Sequence, residues 1–182
     1  MSNFIWPGQF TCTLLVENTF VPNSYTIYCN METIDHKKNI GLGFRKLKYF
    51  IEQHLSNSIL IFQDNPKIKN LEGIKNTIIK FPTEPWDYLI GTILYWKFTA
   101  ITEKYFTISY INIDSALGDH VQYHIDDNLD IGVDIKGDHW WNKDSPGTDL
   151  NDKISWEKLN LKDTGKFSPR IIEGGLKANG NQ

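Results

Sequence analysis

The sequence predicts a single α+β domain, with a mixed, largely antiparallel sheet of five to seven strands packed on two main helices. Three observations carry this. Apolar and polar residues alternate with period two in several short segments, the signature of half-buried strands. Two segments, 36–55 and 86–101, repeat their apolar residues at helical spacing instead. The chain of 182 residues, 40% hydrophobic and 13% aromatic, is long and apolar enough to build one core. We expect one globular domain over 1–160 and a loosely packed C-terminal extension over 161–182, where Gly165, Gly174, Gly175 and Gly180 outnumber core residues.

The elements follow in order. Phe10, Cys12, Leu14 and Val16 alternate with polar neighbours, as do Tyr25, Ile27, Cys29 and Met31, on either side of Val21-Pro22-Asn23-Ser24. This reads as a hairpin turning at Pro22, with Val16 opposite Tyr25 and Cys12 opposite Cys29. Ile40, Phe44, Leu47, Ile51 and Leu55 form one face of a helix that Asp35 or Asn39 would cap. Ile59 to Phe62 is wholly apolar, as in a strand buried on both faces, and Thr77 to Phe81 adds another. Pro85 suits the start of a helix running through Leu89, Ile90, Ile93, Leu94 and Ile101, apolar on most sides and hence buried. Three successive strands follow, over 105–113, 121–125 and 131–135, the last two joined at Asp126-Asp127-Asn128-Leu129.

Several function classes lack support. The N-terminal MSNFIWPGQF has neither a basic leader nor an apolar stretch of signal length, so the cytoplasm is the expected compartment. No apolar run reaches the roughly 18 residues that span a bilayer, because Asp87 and Lys97 interrupt the best candidate. Gly41-Leu42-Gly43 completes no phosphate-binding loop. A pI of about 5.9 and only two Arg argue against nucleic-acid binding. The excess of Lys over Arg, with 23 Ile, 16 Asn and three Ala, is a coding bias expected of an AT-rich genome such as a phage or low-GC bacterium.

The charge is unevenly spread. Between 114 and 152 stand ten aspartates and no glutamate against only Lys136 and Lys143, within a chain whose net charge is −3. Asp114, Asp119, Asp126, Asp127, Asp130, Asp134, Asp138, Asp144, Asp149 and Asp152 need a metal, a basic partner or solvent to meet them. If 120–136 is a hairpin, alternation gathers His120, Gln122, His124, Asp126, Asp130, Asp134, Lys136 and Asp138 on one polar face. Trp140 and Trp141 follow in a loop rich in Asp, Pro and Gly. Large aromatics within a charged surface are what binding hot spots are made of.

We therefore expect a non-enzymatic interaction protein that uses this acidic face and the Trp140-Trp141 loop to bind a basic protein partner, steered electrostatically. By its chemistry it resembles inhibitors and immunity proteins that cap basic nuclease toxins, and phage proteins that block host enzymes. No cofactor is expected under that reading. The alternative starts from Ile131-Gly132-Val133-Asp134-Ile135-Lys136, an apolar segment carrying Asp-x-Lys. It resembles the core of the PD-(D/E)XK nucleases, which implies Asp119 and Asp134 as Mg²⁺ ligands and Lys136 as the group orienting the attacking water. His120 and His124 do not form a transition-metal pair, since four residues along a strand separate them by about 13 Å. A third reading uses opposite poles: basic residues at 36–48 and at Lys162, Lys166, Arg170 and Lys177 would meet the acidic segment in a homo-oligomer or structural assembly.

Overall fold

Two long strands, β1 (Asn3–Val16) and β2 (Thr19–Thr33), form one antiparallel hairpin in the computed structural model, which describes residues 3–34, 40–71, 73–128, 131–159 and 161. The turn is Glu17-Asn18, both left-handed with φ of 47° and 65°. Such a two-residue turn matches the twist of the strands it joins. The expected turn at Pro22 is thus corrected: Val16 faces Thr19, Leu14 faces Val21, and Pro22 lies within β2 opposite Thr13. Proline is tolerated there because β2 gains its second neighbour only from Tyr25 onward, so Pro22 sits where the strand is still an edge. The two thiols are not opposite one another either, since Cys12 faces Asn23 and Cys29 faces Trp6; both are free and buried.

Around this hairpin the sheet is mixed and six-stranded. β3 (Ser58–Phe62) joins β1 in parallel, β4 (Ile78–Phe81) joins β3 in parallel, and β5 (Phe106–Ser115) and β6 (Gln122–Ile125) add antiparallel strands beyond β2. The order is β4-β3-β1-β2-β5-β6. The helices α1 (Ile40–Phe50) and α2 (Asp87–Thr102) pack against one face. On the other, Leu15, Ile59, Ile61 and Leu71 form a smaller cluster under a 3₁₀ turn over Pro66–Leu71. That second cluster explains why β3 is apolar throughout: Leu60 enters the main core while Ile59 and Ile61 enter the other.

The periodicity of α1 continues through Ile51 and Leu55, but the last turn widens into a π-turn (Ile51–Leu55), closed by the Ser56 amide donating to the Ile51 carbonyl at 2.8 Å. Its expected cap lies outside the described residues. In α2, Gly91 marks the crossing over β5, because a Cβ there would stand 2.7 Å from Ile113 Cγ2. Thr92 and Thr102 are buried in the same helix and satisfy their hydroxyls on the carbonyls of Tyr88 and Phe98.

The strand expected over 131–135 is absent, and with it the second hairpin. β6 is short and stands at the edge, and the described residues 126–128 and 131–139 that follow it are turns and irregular chain. Gly132 is left-handed at φ 68°, which breaks an extended path. Ile135 is buried by folding the segment back onto the protein instead of by pairing. Of the extension, Leu161 packs on the core and 162–182 lie outside the described residues.

Candidate functional site

The aspartates of the acidic segment fall into separate environments. Asp144 is a structural hub: its Oδ1 accepts from Lys46 Nζ at 2.9 Å and from Trp156 Nε1 at 2.7 Å, and its Oδ2 lies 3.6 Å from Lys104 Nζ. Lys46 is buried in α1, 5.0 Å from the ring centre of Trp156. Asp144, Lys46, Lys104, Tyr105 and Trp156 line a cleft of about 570 Å³. Asp149 and Asp152 cap local turns, accepting from the amides of Asn151 and Ile154. Asp138 pairs with Lys143.

Near the sheet edge Asp119 and Asp127 are open to solvent, whereas Asp114 and Asp126 are partly buried. Asp119 and His120 are both left-handed, at φ 51° and 59°, in the turn joining β5 to β6. His120 Nδ1 lies 3.3 Å from Asp114 Oδ1, and His124 Nδ1 lies 2.9 Å from Asn112 Oδ1 with its ring 4.6 Å from that of Tyr110. These contacts place His120 and His124 beside β5 on the sheet face that the helices leave uncovered. Asp126 accepts from the Asn128 amide and Asp127 is exposed. Asp119, Asp126 and Asp127 have no cation within salt-bridge distance among the described residues. Asp134 is 78% exposed, 3.9 Å from His139 Nε2. Asp130 lies outside the described residues. The common polar face expected for His120, His124, Asp126, Asp134 and Asp138 is therefore not formed; an edge strand with a ragged acidic margin stands in its place.

Trp140 and Trp141 correct the expectation of an exposed aromatic loop, for both are buried, in a 3₁₀ turn over Trp140–Asn142. Trp141 Nε1 donates to the Ile135 carbonyl at 2.9 Å, and Asn142 Nδ2 donates to the carbonyls of Ile135 and Gly137 at 2.8 Å each. What holds the turn is Lys97 of α2, wholly buried, donating to the carbonyls of Trp140 and Lys143 at 3.0 Å each. Burial pushes Lys97 down from 10.5 to about 7, against the pull of Asp144 and Asp152.

The arrangement implied by the nuclease resemblance is not assembled. Asp134 lies outside any strand and accepts from the Lys136 amide, while Lys136 Nζ lies 5.9 Å from the ring centre of Trp96. Among the described residues no three His, Cys, Asp or Glu side chains converge as metal ligands. No helix there is long and apolar enough to cross a membrane.

A further polar cluster was not visible in the sequence. Asp87, in the first turn of α2, accepts from Tyr25 Oη and from Ser115 Oγ at 2.6 Å each, and Ser115 Oγ accepts from the Gly118 amide. Burial and then Asp87 push the Tyr25 phenol well above its usual range, and push the Cys12 thiol up to about 12. The thiol is thus inert as a nucleophile. Beside this cluster runs a cleft of about 480 Å³ lined by Thr11, Thr13, Asn23, Ser24, Asn57 and Asn76, with no charged side chain. Asp87 and Lys97 were legible only as charges interrupting an apolar run, the one signal that could have found them. No model of a known protein family matches the chain, and no curated protein matches its sequence.

Proposed function

We propose that this protein is an interaction factor that binds a basic protein partner along the β6 edge, as an inhibitor or immunity-type protein would. The observation that carries the reading is the set of carboxylates at both ends of an edge strand, exposed Asp119 before β6 and half-buried Asp126 and exposed Asp127 after it, with no cation within salt-bridge distance among the described residues. A solvent-facing edge strand offers backbone groups for pairing, and uncompensated charge beside it speeds the approach of a basic partner. His120, His124 and Tyr110 border the same margin and supply the adaptable contacts. In the folded state described here Trp140 and Trp141 are not part of this surface.

The test is capture from a native lysate, with the partner identified by mass spectrometry. The expected partner is basic, is lost at high salt, and binds the doubly substituted Asp126→Lys, Asp127→Lys protein at least about tenfold more weakly at low salt. Asp127 is exposed and Asp126 only half-buried, so the fold should persist. An acidic partner, or undiminished binding by the variant, overturns the proposal.

A further inference from the structure

Two titratable side chains share the ring of Phe50 with no carboxylate paired to either among the described residues. Lys97 Nζ lies 5.4 Å from its centre, and His54, from the π-turn, stacks on it at 5.7 Å. Lys97 has two acceptors, both carbonyls of the 140–143 segment, so its third N–H is unmatched among the described residues. The Trp140 ring lies 5.6 Å from the same ammonium. His54 Nε2 is buried without a hydrogen-bond partner among the described residues. The nearest countercharges come from the loop beyond: Asp144, already committed to Lys46 and Trp156, and Asp152, committed to the Ile154 amide. A charge on Lys97 also opposes one on His54.

We propose that Lys97 and His54 form an acid-sensitive latch on the Trp140–Asn142 turn, which holds the turn on α2 while both are neutral and lets it lift, exposing Trp140 and Trp141, as they gain protons. The direction follows from proton linkage. With the turn lifted, Lys97 is hydrated and keeps its proton up to the ordinary 10.5; with the turn closed it holds it only below about 7. Between these values each unit of falling pH favours the lifted form by up to about tenfold, and below about 7 the Lys97 contribution is constant. Burial likewise holds His54 below its ordinary 6.5, so it extends the same trend from there downward. The burial of two indoles opposes lifting at every pH.

The experiment labels the whole chain with 5-fluorotryptophan and follows the ¹⁹F resonances from pH 5 to 9.5, assigned by single Trp→Phe substitutions. The expected result is growing solvent exposure of Trp140 and Trp141 on acidification, with Trp6 and Trp86 unchanged. Lys97→Met should abolish the change above pH 7 and keep that below 6.5, and His54→Gln should do the reverse. Six resonances moving together, a flat profile, or variants retaining the full wild-type profile overturn the latch. Should a variant fail to fold, the ¹³Cε titration of Lys97 in the wild-type chain decides: a midpoint near 7 supports the latch and one near 10.5 removes it.

Discussion

Replacing Lys97 by Met keeps an unbranched side chain of similar length in α2 while removing an ammonium that is wholly buried and, among the described residues, paired with no carboxylate. Since the folded chain releases this proton near 7 and the unfolded chain near 10.5, the unfolded state binds more protons between those values. Lys97 therefore makes stability rise with pH across that window, at up to about 1.4 kcal/mol per pH unit. Between pH 7 and 9.5 the stability of the wild type should climb by about 3 kcal/mol relative to Lys97→Met. The buried thiols act the other way above pH 9, because Cys12 is pushed from 9.0 to about 12, but both proteins carry them and they cancel in the difference. The assay is urea unfolding of both proteins at pH 7, 8 and 9.5. Stability curves that stay parallel across this range would refute the reasoning, since they would mean that Lys97 titrates alike in both states.

Two further substitutions test the polar cluster and the helix crossing. Tyr25→Phe deprives half-buried Asp87 of one of two 2.6 Å donors and should cost about 1–3 kcal/mol in chemical unfolding, whereas a neutral effect would mean that water replaces the phenol without loss. Gly91→Ala drives a methyl to 2.7 Å from Ile113 Cγ2 and should lower stability by about 1–3 kcal/mol; an unchanged melting temperature would show that α2 can slide away from β5.

The parts of the fold legible in the sequence are those governed by local pattern. Pro85 and the spacing after it located α2, and the uniformly apolar Ile59–Phe62 was recognisable as a doubly covered strand because both faces meet a cluster. Glu17-Asn18 was missed because neither residue is a glycine, although both adopt φ above zero. Pro22 looked like a turn because its tolerance depends on where β5 begins to pair, which no local pattern encodes. The alternation over 131–135 is real, but Ile131 and Ile135 satisfy it by packing on the core, with Gly132 bending the path between them. The charge of the acidic segment was read as exposure, yet Asp144 is neutralised by Lys46 and the Trp140 turn is satisfied by Lys97. Both partners lie on helices far away in the chain, so only tertiary structure brings them together.

The β1–β2 ribbon bears on how the chain assembles. Strands of 14 and 15 residues joined by two residues close with little loss of loop entropy, whereas β5 must return across more than seventy intervening residues to dock on β2. The ribbon is thus the first element able to zip during synthesis. Until α2 and β5 emerge it presents a bare apolar side and two open margins, a state two strands cannot sustain alone in water. The nascent chain is most exposed to aggregation in that interval, and its solubility rests on the speed with which the middle of the sequence follows.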